Sequence, residues 1–160
     1  MKIRIVSILS ILSLAIVLSA CDAHTKTSRL NEQASIMETN ALSENPLLEH
    51  PLTSSINVKD STMATLYGNK IAWDYANLKN DGNYPSGAIL YEVTWKQKPD
   101  SVWFGANIPK VVKSVERISF PASGEPQYNL YEGHPLTEST SEKDTARLAI
   151  IASQRIAVSP

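Results

Sequence analysis

The chain is poor in cysteine, glycine and histidine, and each shortage removes a class of function. Of 160 residues only Cys21 is a cysteine, so no disulfide can form within the chain and a folded unit must rest on its packed core. A Cys-X-X-Cys-His run, which would attach haem covalently, is absent. His24, His50 and His134 are scattered with no His-X-X-X-His pair, and His134, between Gly133 and Pro135, reads as a loop residue. The six glycines are all isolated, which leaves no phosphate-cradling loop. Serines are plentiful, but no Gly-X-Ser-X-Gly elbow presents one as a nucleophile. Basic charge is not in excess either: the formal net charge is -1, and no basic stripe points to nucleic acid. There is no internal repeat and no heptad run.

One apolar run stands out, Ile5 to Leu18, interrupted only by serines. It is too short for a comfortable membrane span, which takes roughly 20 apolar residues. Lys2 and Arg4 precede it, so residues 1–20 read as a signal segment. Leu18-Ser19-Ala20-Cys21 has the pattern of a bacterial lipobox, in which small residues admit the peptidase and the thiol takes the diacylglyceryl group. The competing reading is an ordinary secretory signal followed by a chance cysteine. Lipidation of Cys21 implies a bilayer partner and a periplasm-facing place in the cell envelope. Asp22 resembles the enteric signal for inner-membrane retention. Removing residues 1–20 takes Lys2 and Arg4 and no acid, which leaves thirteen basic residues facing sixteen acidic ones.

Residues 21–54 are rich in Ser, Thr, Asn and Glu, and their few apolar residues keep no helical or strand period. They read as a lipidated flexible tether, with a short helix near Leu30 to Met37 as the one local exception. The folded domain is expected over 55–160. Ile56 and Val58 begin a strand, Thr62 to Tyr67 a second, and Lys70 to Leu78 a helix with a broad apolar surface. Ser86 to Lys96 is the clearest strand: Ile89, Tyr91, Val93 and Trp95 alternate with Leu90, Glu92, Thr94 and Lys96, giving a buried face and a partly wet one. Pro99 ends it, and Val102 to Ala106 returns. Strands follow over Val111 to Phe120 and Gln127 to Tyr131. A helix capped by Ser141 then presents Ala146, Leu148, Ala149, Ile151 and Ala152, and ends near Arg155. Such short, closely spaced strands favour antiparallel pairing. The expected fold is α+β: an antiparallel sheet with two flanking helices on one face.

Two groups of residues carry what chemistry there is. Glu92 and Glu116 fall on neighbouring strands and can approach each other; a desolvated carboxylate there would titrate high. The plainer reading is a cross-strand ion pair of Glu92 or Glu116 with Lys96 or Lys113. The stretch 93–110, VTWKQKPDSVWFGANIPK, holds two of the three tryptophans. Each large aromatic buries about 150 to 250 Å². A domain without disulfides needs that area, so Trp95, Trp103 and Phe104 read first as core.

At these residues the chain resembles the cytochrome P-460 family. The carriers are TMATLYGNKIAWDYA (62–76), YPSGAILYEVTW (84–95) and WFGANIP (103–109), with Gly68, Asn69, Ala72, Pro85, Gly87 and Trp95 at matching positions. The resemblance covers about residues 55–133. It implies an antiparallel sheet with flanking helices, often dimeric through the sheet. Haem-bearing members hold a c-type haem through Cys-X-X-Cys-His, with a lysine cross-link in the type members, and act on hydroxylamine or nitric oxide. The attachment motif is missing here, and the strand before Trp95 offers Glu92 where a cross-linking lysine would be sought.

The sequence therefore leads to a non-enzymatic, lipid-anchored envelope protein that binds a small ligand or a partner protein and carries no covalent cofactor. Its expected pocket lies between the sheet and the helix after Asn69, with Tyr67, Asn69, Trp73, Glu92, Trp95, Trp103 and Phe104 as candidates. The alternative is a redox protein with non-covalently bound haem, for which His134 is the axial candidate. A Soret band lost in His134→Ala would favour the second.

Overall fold

The computed structural model describes residues 31–36, 41–42, 44–79, 81–140 and 144–157. Cys21, Asp22, the signal segment and the first ten residues of the expected tether lie outside them. Among the described residues no helix is long and apolar enough to cross a membrane.

Six strands form one antiparallel sheet in chain order: β1 (His50–Asn57), β2 (Thr62–Gly68), β3 (Ile89–Pro99), β4 (Asn107–Ser119), β5 (Gln127–Glu132) and β6 (Thr137–Glu138). Two helices complete the fold, α1 (Lys70–Leu78) between β2 and β3 and α2 (Thr145–Ala152) after β6. The α+β expectation, with both helices against one face, holds.

Helix α1 starts where Asn69 stops the strand. Asn69 has an extended backbone, and its Oδ1 accepts from Ala72 N at 3.0 Å, which satisfies a first-turn donor. The same amide ties the helix to the sheet: Oδ1 accepts from Ile89 N at 3.2 Å, and Nδ2 donates to Gly87 O at 2.9 Å. Gly68 permits the close approach, since a Cβ there would stand 2.9 Å from that of Ala72.

Alternation along β3 sends side chains to both faces, and both are covered. On the helix face Leu52, Leu66, Ala72, Ala76, Leu90, Ile118 and Ile151 form one core. On the other face Tyr91, Val93, Trp95, Val112, Val115 and Tyr131 form a second, closed by Ile36, Leu42 and Leu136. The supposedly wet face is thus the one that carries the helices, with Leu90 buried on it.

Described residues upstream of 55, from Asn31 on, belong to the same compact unit as the sheet. Ile36 and Leu42 are buried, Trp95 Nε1 donates to Ala34 O at 2.9 Å, and β1 starts at His50. The segment was read as a loose spacer because its apolar residues keep no period. A lid needs none: irregular chain covers a sheet face with whichever side chains point down. Two 3₁₀ turns, Glu32–Ala34 and Pro46–Leu48, are its only helical structure among the described residues.

Further differences are local. β3 runs on to Pro99, paired with Asn107, because a proline at the last strand position leaves no inner N–H to satisfy. The segment 102–106 is the turn joining β3 to β4, not a strand. Asp144 caps α2, its carboxylate accepting from Arg147 N at 2.8 Å, and the helix ends at Ala152; Ser141 lies outside the described residues.

Candidate functional site

Helix α1 has nine residues and α2 eight, about 13 Å of helix each, whereas β4 has thirteen residues and runs roughly 40 Å. Two such helices cannot roof the whole face. Beyond them the helix face turns polar and a cleft of about 300 Å³ opens. Hydroxyls of Thr62, Thr94 and Ser114 line it, with the charged side chains of Asp60, Glu92, Lys113, Glu116 and Arg147.

At its inner wall Glu92 and Glu116 stand directly opposite each other on β3 and β4. They are 3% and 6% exposed, a costly placement for two like charges. Arg147, reaching down from α2, resolves it. Its Nε donates to Glu116 Oε1 and its Nη2 to Glu116 Oε2, both at 2.7 Å, and Nη2 also bonds Glu92 Oε2. Gln154 Nε2 donates to the other Glu92 oxygen at 2.8 Å, and Tyr128 OH donates to Glu116 Oε1 at 2.7 Å. Every buried side-chain polar atom among the described residues has a partner.

These contacts and burial raise all three groups, each for its own reason. Burial pushes the Glu92 carboxyl up; Gln154 and Arg147 pull it back, and Glu116 adds to the rise. Hydrogen bonds to Glu116 hold the Arg147 guanidinium charged against its own desolvation. Tyr128 is raised by burial and then by Glu116. The cluster is therefore a charged latch between α2 and the sheet, with one side open to the cleft.

Of the residues expected to line a pocket, Glu92 alone borders this cleft. Tyr67 and Trp95 project to the opposite face, since Tyr67 pairs with Tyr91 while α1 packs over Leu66 and Leu90. Asn69 is used up as the α1 cap. Trp73 stacks on His50, ring centroids 5.5 Å apart. Trp103 and Phe104, expected in the core, are exposed at the β3–β4 turn. His134 lies exposed in the turn between β5 and β6. The approach of Glu92 to Glu116 is as expected, but the counter-ion is Arg147 where Lys96 or Lys113 was anticipated. Arg147 and Gln154 were missed, although Arg147 and Ile151 stand four residues apart on one stripe of α2 and Gln154 follows just past its C-cap, Ser153.

The cleft does not fit a haem. Porphyrin faces take apolar and aromatic walls. This lining is hydroxyl, amide and charge, with Ala64 its one apolar side chain and no histidine or cysteine. Among the described residues no three His, Cys, Asp or Glu side chains group as a metal site would require.

Comparison with known protein families finds no family model that matches the chain, and comparison with characterised proteins finds no match.

Proposed function

We propose that this chain is a bacterial envelope lipoprotein, held by acylated Cys21 and facing the periplasm, whose sheet domain binds a small polar molecule in the cleft over Glu92, Glu116 and Arg147. Asp22 favours the inner membrane. The observation that carries the binding reading is the pairing of an open cleft of about 300 Å³ with two buried carboxylates on its wall. Three acids and two bases line it, so a hydroxyl- or amine-bearing ligand suits it better than an anion. The six-stranded antiparallel sheet and its two helices fit the architecture that the cytochrome P-460 resemblance implies. Within this reading the domain is a non-enzymatic relative.

The test is a thermal-shift panel of monosaccharides, polyols, amino acids and polyamines on the purified chain. A ligand at a hundred times its Kd adds about 2.7 kcal/mol to stability. Ser55 is exposed at the cleft mouth, so Ser55→Trp should block the shift and leave the free protein's midpoint unchanged. A panel with no shift, or a shift that survives Ser55→Trp, defeats the reading. Anchoring has its own check: mass analysis should find acyl chains on Cys21, and Cys21→Ser should leave the chain unanchored.

A further inference from the structure

We infer that the β3–β4 turn inserts into the interface of an anionic phospholipid bilayer, on the side of the domain where the proposed anchor leaves it. The inference deepens the lipoprotein reading by adding a second, non-covalent membrane contact.

Val102, Trp103 and Phe104 are consecutive and 78%, 71% and 108% exposed. Three large apolar side chains in a row at a strand turn gain nothing from the fold. They are also not slack chain. Asp100 Oδ1 accepts from Val102 N at 2.7 Å and Trp103 N at 3.3 Å, Asp100 N donates to Ala106 O at 2.9 Å, and Ala106 N donates to Trp103 O at 3.1 Å. Gly105, at φ +79°, supplies the left-handed step that closes the turn. The turn is built, and what it displays is a Val-Trp-Phe tip. Tryptophan is the residue that membrane interfaces favour, with its ring in the acyl boundary and its N–H among headgroups.

Charge behind the tip selects the lipid. Lys96 and Lys98 lie on β3 and Lys110 and Lys113 on β4. Lys96, Lys110 and Lys113 border a surface hollow of about 180 Å³ with Asp60 as its one acid. Asp100, the acid nearest the tip, is engaged by the turn's own N–H groups. Each lysine near an anionic leaflet adds to the attraction.

The path of the chain agrees. Asn31, the first described residue, donates from Nδ2 to Pro109 O at 3.0 Å and to Lys110 O at 2.8 Å. Pro109 and Lys110 are the third and fourth residues of β4 after the turn. Ten residue steps separate Cys21 from Asn31 and span at most about 36 Å. A bilayer that holds Cys21 thus lies within reach of the end of the sheet that carries Trp103 and Phe104.

The experiment is tryptophan quenching by bromine-labelled acyl chains. The full chain is placed with vesicles of phosphatidylcholine alone or of phosphatidylcholine with phosphatidylglycerol. Trp95 is buried and Trp73 partly so, so wild type should lose most of its bromine quenching in Trp103→Ser. Quenching should be stronger in the phosphatidylglycerol vesicles, and Lys96→Glu with Lys110→Glu should remove that difference. The substituted side chains are exposed, so thermal midpoints should not move. Equal quenching in wild type and Trp103→Ser overturns the inference. So does emission unchanged by any vesicle, the result a protein-docking tip would give. Flotation read alongside separates the two claims: failure of wild type and Trp103→Ser alike to float with vesicles counts against acylation of Cys21, while the quenching comparison, made with added vesicles, still decides the tip.

Discussion

Arg147 is the residue on which the polar cluster turns. Removing it leaves Glu92 and Glu116 buried and facing each other with no cation between them. Arg147→Ala should cost about 3 kcal/mol, the low end for a broken buried pair because the arginine is partly exposed. The urea midpoint measures this, and adding Glu92→Gln should recover part of the loss through coupling. Glu92 makes a separate prediction. Its folded pKa is raised by burial, so between the unfolded and folded values the native state keeps a proton that the unfolded chain has released. Stability from this group falls as pH rises through that window and is regained on acidification. Urea midpoints taken across that range should show the slope in wild type and a flatter curve in Glu92→Gln. The possibility of a desolvated pair at 92 and 116 was legible from alternation on two strands. Arg147 was not, because nothing local says which charged residue of a helix will cross a sheet to meet them.

At the scale of elements, α1 was legible to the residue: Asn69, then a run of good apolar spacing, then Lys79. Its cap does more than a cap alone, since the same side chain bonds Ile89 N and Gly87 O. Asn69→Ala should therefore lose about 1 to 2 kcal/mol, the upper part of the range for a capping residue. Native-state amide exchange should show faster opening of α1 than of β4. The β3–β4 turn was misread because aromatic content was taken as a sign of burial. Hydrophobicity says what a side chain gains from cover; it does not say that the fold supplies any. β6, with two residues, carries too little pattern to be read at all.

For the whole molecule, the consequential finding is the lid formed by the described residues 31–36, 41–42 and 44–48. Ile36 and Leu42 close the second core over Trp95 and Val93. Truncating either to alanine should cost about 2 to 4 kcal/mol, where a loose spacer would show almost none; chemical denaturation of the two variants decides it. What the sequence determined by itself was local: no disulfide, β3 with residues alternating to two faces, a helix opening at Asn69, strands too close for parallel crossovers. The tertiary structure alone decided which surfaces meet. Trp95 finds Ala34 across 61 positions, and Glu92 finds Arg147 across 55. Periodicity records how an element divides its own faces, because that division follows from backbone geometry. Which segment covers each face depends on packing summed over the folded chain, and no local pattern carries that sum.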